Sequence, residues 1–222
     1  MDPEFWQHIW QERQIGFHRA DVHPALKAFW PEVTGSGPVL VPLCGKTLDM
    51  HWLAAQGHPV TGIELSEQAI TEFFREGGLT PERGSNGNGQ PTWSAGEITL
   101  VCGDFFAFKP PAPYRCFYDR AALVALPKAM RERYLRHLAR CIAPGGEGLL
   151  ITFEYDPDSM EGPPFPVFAS ELQEQPYFAV EKLAGEGSGQ SHPGLMARGA
   201  NSLTECVYRL IKRALPAHHT GG

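Results

Sequence analysis

Two hydrophobic rhythms alternate along this chain. PVLVPL at 38–43 is a continuous apolar run of strand length, and TLDMHWLAAQG at 47–57 has apolar residues at helical spacing before a glycine stop. The pair repeats as HPVTGIEL at 58–65, a second strand, and SEQAITEFFREG at 66–77, a helix with a serine at its cap. EITLVCGDFFAF at 97–108 predicts a third strand with a polar exit, and YRCFYDRAAL at 114–123 a fourth. KAMRERYLRHLARCIAP at 128–144 predicts an amphipathic helix ended by Pro144-Gly145-Gly146, and the strand GLLITFEY follows at 148–155. After a short helix around ASELQEQ at 169–175 come two more strands, YFAVEKLAG at 177–185 and LTECVYRLIKR at 203–213. Glycine and turn formers crowd residues 77–97, which therefore read as a long surface loop.

Strand–helix alternation of this kind predicts an α/β, Rossmann-like, doubly wound and mostly parallel seven-stranded sheet. The last two strands have no helix between them and are expected to close it as a C-terminal antiparallel hairpin. Ahead of the first strand, Asp2 can cap a helix that Pro3 begins, with Phe5, Trp6, Ile9 and Trp10 as its apolar stripe. A second helical segment begins near His23-Pro24. These covering helices make residues 1–35 a candidate lid.

At 222 residues the chain has room for one sizeable core, so a single domain over 1–222 is expected. Its 42% hydrophobic and 20% charged content is that of a soluble globular protein. A net charge of −6 leaves no footprint for nucleic acid, and no apolar run is long enough to span a membrane. Cys44, Cys102, Cys116, Cys141 and Cys206 are scattered singly, which suits a reducing cytoplasm and supplies no metal spacing. No repeat or exposed heptad argues against a monomer.

Gly45-Lys46-Thr47 ends like a nucleotide phosphate loop. That loop needs a glycine five positions before Gly45, where Leu40 stands, and Pro42 removes one N–H from the arc that would face phosphate. The three-glycine dinucleotide fingerprint also fails, with Gly45 alone between strand and helix. An acidic residue nevertheless ends the second strand. Glu64, nineteen positions past Gly45, can accept both ribose hydroxyls of an adenosine; a solvated helix-capping glutamate is the competing reading. Asp104 can bond an adenine amino group and Phe105 can offer its ring a face, or the two can be a cap and ordinary core. Asp119 and Arg120 stand at the carboxyl edge of the sheet, where open α/β sheets bind ligands. An adenosine cofactor without phosphates fits these residues best.

QIGFH (14–18), VPLCGKTLDMHWLAAQGHPVTGIELS (41–66), CGDFF (102–106), YDRAALVALP (118–127), LLITFEY (149–155) and GPPF (162–165) together closely resemble the thiopurine S-methyltransferase family in its bacterial form. That family lies within the S-adenosylmethionine-dependent, seven-stranded methyltransferases. The resemblance implies that Trp10, Leu43, Glu64 and Arg120 contact S-adenosyl-L-methionine. It implies an N-terminal cover that brings Phe17 and His18 to the active site, and it leaves Asp104 and Phe105 bordering adenine. The implied reaction is methyl transfer to the sulfur of a small aromatic or heterocyclic thiol, with Arg120 favouring the thiolate and His18 a candidate proton acceptor. Trp6, Phe17 and Phe165 would form apolar walls. Arg198 falls near, though not cleanly on, the second substrate-facing arginine of animal members. Selenium or tellurium compounds, another small acceptor, or a noncatalytic cofactor-binding or interaction role are the alternatives. Detoxification is the cellular role that such a reaction suggests.

Overall fold

The computed structural model describes residues 10, 12, 18–30, 37–187 and 192–214. Its first helix, α1 (Pro24–Phe29), begins where His23 Nδ1 accepts the Ala25 N–H and proline fills a position that needs no N–H. β1 (Val39–Pro42), α2 (Asp49–Ala55), β2 (Val60–Glu64) and α3 (Glu67–Glu76) then follow the alternating pattern. Ser66 Oγ accepts the Ala69 N–H to start α3, as the sequence suggests.

Residues 77–97 correct the expectation of a loop. They hold β3 (Glu82–Ser85) and β4 (Pro91–Ala95), an antiparallel hairpin that joins the sheet by pairing β4 with β5 (Ile98–Cys102). Asn86 Oδ1 makes its turn by accepting the Asn88 and Gln90 N–H groups. Trp93 is the one buried residue of the two strands, so no apolar alternation advertised them.

β6 (Tyr114–Arg120), α4 (Lys128–Cys141) and β7 (Ile142–Glu154) come next. Here too an expectation changes: α4 stops at Cys141 and Pro144-Gly145-Gly146 lies inside β7. There the pairing with β6 loses register and Gly145 takes φ 72°. α5 (Ala169–Glu174), β8 (Phe178–Gly187), α6 (Pro193–Ala197) and β9 (Thr204–Lys212) complete the described chain.

The sheet has nine strands in the order β3-β4-β5-β2-β1-β6-β7-β9-β8. β5, β2, β1, β6 and β7 run parallel, and β9 lies antiparallel between β7 and β8. The seven strands expected from the sequence are thus present, extended at one edge by the β3–β4 hairpin. Alternation along the strands feeds two cores. Val39 and Val41 pack with Leu26, Met50, Leu53 and Phe73 of α1–α3 on one face. Leu40 and Phe117 pack with Tyr134, Leu138 and Leu172 of α4 and α5 on the other. No helix among the described residues is long and apolar enough to cross a membrane.

The chain leaves β1 toward β2 on one side and returns to β6 on the other, so the carboxyl ends of these strands flank a topological switch point. β1 pairs with β6 at Val39 and Leu40 alone, and Pro42 has no N–H with which to extend a ladder. The two strands part there, and the functional residues collect around the gap.

Candidate active site

The turn after β1 is held in an uncommon backbone conformation. Leu43 sits at φ 47° and Gly45 at φ 54°, and the first is unusual for a residue with a branched side chain. Glu64, at the end of β2, fastens this turn. Its Oε2 accepts the Gly45 N–H at 2.8 Å and its Oε1 accepts the Ser66 N–H at 2.8 Å. Hydrogen bonds to a charged group contribute about 1.5–3 kcal/mol, enough to offset the ~1–3 kcal/mol of a strained residue. Cys44 tucks beneath the turn because Gly62 lacks a side chain; a Cβ there would come within 2.7 Å of its Sγ. Burial pushes the Glu64 carboxyl above its usual range, and the N–H groups of Ser66, Gly45 and Leu65 pull it back. At 7% exposure Glu64 is no solvated cap. Each of its oxygens has a further lone pair and can take a hydroxyl.

Lys46 does not face a phosphate. Its ammonium donates to Glu72 and Glu76 of α3, at 2.8 Å each. Burial alone would lower its pKa, but the two carboxylates raise it above the ordinary value. The ammonium therefore ties the turn to α3 through both carboxylates, and Thr47 Oγ1 accepts the Asp49 N–H ahead of α2.

The turn after β6 repeats this logic. Ala121 takes φ 71°, and Asp119 Oδ1 accepts the Ala122 and Leu123 N–H groups while its Oδ2 accepts the Tyr134 hydroxyl. Burial raises the Asp119 carboxyl to about 6, against the pull of those three donors. Arg120, at the end of the same strand, lies in the field of Tyr118, Asp49 and Glu205. Burial and a neighbouring Arg19 lower its pKa, and Tyr118, Asp49 and Glu205 raise it. It remains a cation, and its guanidinium makes no hydrogen bond or ion pair with another described residue.

Two residues ahead of β1, Trp10 and His23, are tied to elements at this edge. The Trp10 carbonyl accepts Gln68 Nε2, so this buried residue lies beside the first turn of α3, just past Glu64. The His23 N–H donates to Asp49 Oδ1, and the Tyr118 hydroxyl donates to Asp49 Oδ2. Asp49 was missed by sequence reasoning; the available signal was an acid sharing the buried helical stripe with Leu53. Glu205 Oε2 completes the clamp by meeting His192 at 2.7 Å and His23 at 3.3 Å. His18 is half-buried. Burial and then Lys46 lower its pKa, Glu76 and Glu72 oppose them, and Arg120 adds to the lowering.

Other sequence candidates fall differently. Asp104 follows β5 on the same edge, exposed, and accepts the Phe106 N–H. The Phe105 ring is 3% exposed and packs on Tyr134 and His137, so it belongs to the core and offers no free face. Phe106 is half-buried, with the Arg133 guanidinium 4.2 Å from its ring centroid. Phe165 lies half-buried across Gly162, with its N–H donating to the Val124 carbonyl. Arg198 is exposed and donates to the carbonyls of Glu161 and Pro163, which occupies its guanidinium in bracing that turn. Phe17, Trp6 and the helix expected from Pro3 lie outside the described residues.

These residues suit a phosphate-free adenosyl cofactor: a buried carboxylate with free lone pairs, a turn whose lysine is engaged elsewhere, and an arginine unpaired among the described residues. Comparison with known proteins points the same way. A family model described as thiopurine S-methyltransferase matches residues 1–213. A Pseudomonas putida thiopurine S-methyltransferase is 45% identical over 218 residues, which cover 96% of this chain and all of that one. A Methylococcus capsulatus thiopurine S-methyltransferase is 43% identical, covering 96% and 99%. In fold, the chain is similar to a Burkholderia thailandensis 1,6-didemethyltoxoflavin-N1-methyltransferase solved with S-adenosylhomocysteine. That match has a TM-score of 0.63 at 15% identity and covers 96% of this chain and 87% of that one.

Proposed function

Because the chain belongs to the thiopurine S-methyltransferase family, we propose that it methylates the sulfur of a small aromatic or heterocyclic thiol, with S-adenosyl-L-methionine as donor. The observation that carries this reading is the turn after β1, clamped by Glu64 and with Lys46 drawn away toward Glu72 and Glu76. Such a turn accepts an adenosine and has no charge to offer a triphosphate.

Bound S-adenosylmethionine supplies an already activated sulfonium methyl, so the chain needs to provide alignment and a thiolate. Glu64 holds the ribose through its free lone pairs, and Leu43 presents the turn to the methionyl part. Trp10 closes over that side. Asp104 borders the adenine, with Phe106 as the neighbouring ring. Arg120 stabilises the thiolate across a partly desolvated gap, where its charge acts more strongly than in water. His18, kept neutral at neutral pH by its burial, accepts the thiol proton. Residues 1–35 act as the cover of one domain spanning 1–222, with Phe17 and Phe165 as apolar walls. A cytoplasmic monomer acting on a small molecule, without nucleic-acid or membrane partners, completes the proposal; its five cysteines are free.

The test is S-adenosylhomocysteine release with thiophenols, thiopurines, selenite, tellurite and small amines as acceptors. Turnover with the thiols supports the reading. Turnover confined to chalcogen oxyanions or amines replaces the acceptor. Cofactor binding with no release from any acceptor favours a noncatalytic role.

A further inference from the structure

Lys46 is turned away from any phosphate, and its hydrogen bonds continue beyond the turn that carries it. Its Nζ donates to Glu72 Oε2 at 2.8 Å, and Gln68 Nε2 donates to Glu72 Oε1 at 3.1 Å. The same Gln68 Nε2 donates to the Trp10 carbonyl at 3.3 Å. Gln68 and Glu72, four residues apart, share the face of α3 on which Glu76 also meets Lys46. Lys46, Glu72 and Trp10 are buried and Gln68 is half-buried, so water competes little for these bonds.

The chemistry of each link sets the next. Lys46 holds the Glu72 carboxyl below its usual range against the effect of burial, and Gln68 adds to the lowering. An ionised carboxylate can only accept, so the Gln68 amide must turn its NH2 toward Glu72 and its oxygen away. That NH2 has a second N–H, which reaches the Trp10 carbonyl fifty-eight residues away in sequence. Because this bond is made to the main chain, it fixes where Trp10 stands whatever side chain the residue carries.

We propose that Gln68 is a positioning residue for the cofactor: oriented by Glu72 and Lys46, it seats Trp10 over S-adenosylmethionine and sets cofactor affinity through that residue. The lysine that resembles a phosphate ligand works instead by keeping Glu72 charged. The proposal rests on the methyl-transfer reading above, in which Trp10 closes over the cofactor, and adds the residues that hold it there.

The test is a double-mutant cycle on S-adenosylhomocysteine affinity. Calorimetric titration compares the native protein, Gln68→Leu, Trp10→Ala and the double variant, and thermal unfolding checks that each is folded at the titration temperature. Gln68→Leu is expected to weaken binding about fivefold, the effect of one lost hydrogen bond, and Gln68→Lys, which keeps donors for both partners, to restore part of it. In the Trp10→Ala background the Gln68→Leu change is expected to alter affinity by less than about twofold. Glu72→Gln, which removes the charge that orients the amide, is expected to weaken binding when Gln68 is present and not when it is leucine. An equal loss from Gln68→Leu with and without the Trp10 indole makes Gln68 a structural part of α3 and overturns the proposal. Native affinity in Gln68→Leu overturns it too, as does a Glu72→Gln loss that adds in full to that of Gln68→Leu. Native affinity in Trp10→Ala removes Trp10 from the cofactor and the proposal with it, leaving the methyl-transfer reading to the release assay. Absence of S-adenosylhomocysteine binding in the native protein overturns the cofactor reading itself.

Discussion

Glu64→Gln separates the two tasks given to that carboxylate. In the native turn each oxygen accepts one backbone N–H at 2.8 Å. An amide offers one oxygen and one NH2, so either the Gly45 or the Ser66 N–H comes to face a donor. Leaving a buried N–H unsatisfied costs about 1–3 kcal/mol. Burial disfavours the charge that the substitution removes, which offsets part of that cost and leaves a net loss of about 1 kcal/mol. On the ligand side, two charge-assisted bonds to ribose hydroxyls, about 1.5–3 kcal/mol each, become neutral bonds of about 0.5–1.5 kcal/mol. The difference over the pair is about 2–3 kcal/mol, or S-adenosylhomocysteine binding weakened about 30- to 150-fold. Calorimetric titration measures that affinity, and thermal unfolding of the same samples measures the turn. A lowered melting temperature with affinity kept within about threefold of native would refute the reasoning and leave Glu64 as a turn clamp alone.

Three further outcomes are expected. Asp119 titrates at about 6 when folded and at its usual 3.8 when unfolded, so the folded state binds the extra proton. Stability should therefore fall, on the order of 3 kcal/mol, as pH rises through that interval, and Asp119→Asn should flatten the slope; unfolding titrations with identical slopes would contradict this. His51 stacks on Phe73 with its Nε2 buried and unpartnered, and burial lowers its pKa. Because the unfolded chain takes up its proton first as pH drops below about 6.5, His51→Phe should raise the melting temperature and lessen acid destabilisation, and an unaltered acid limb would count against it. Arg198→Ala should lower stability by less than about 1 kcal/mol, by releasing the turn at Glu161 and Pro163, without raising acceptor KM; a large KM increase in steady-state kinetics would return Arg198 to the substrate site.

The strands were legible wherever both faces are buried. PVLVPL is apolar throughout and GLLITFEY opens on an apolar run because helices cover both sides of the central sheet, and runs of that kind have few other homes. β3 and β4 were hidden for the complementary reason. An edge hairpin that buries one tryptophan carries no periodicity, and its glycines and asparagines are the turn's own chemistry. Pro144-Gly145-Gly146 misled similarly, since the residues that stop a helix are also those tolerated in a strand irregularity.

In the site, position along the chain was enough for Glu64 and Arg120, because the end of a strand fixes which edge of the sheet a residue occupies. It was not enough for residues that act across long sequence separations. Asp49 reaches Tyr118, sixty-nine residues away, and His23, twenty-six away, and its place on the stripe of Leu53 marks it as buried without naming either partner. Lys46 combines both situations. Beside Gly45 and Thr47 it looks like a phosphate ligand, and the missing glycine at position 40 argued against this without saying what the lysine does. Glu72 and Glu76 supply the answer: being four residues apart, they lie on one face of α3 and meet the same ammonium. That contact binds the turn after β1 to the helix after β2, the two pieces of chain that Glu64 also joins. Two independent charged fastenings across one turn allow Leu43 to hold its left-handed backbone without a run of glycines. A phosphate cradle needs those glycines so that its N–H groups can curl toward the anion; this turn is kept rigid by side chains and can present an apolar residue to a cofactor instead.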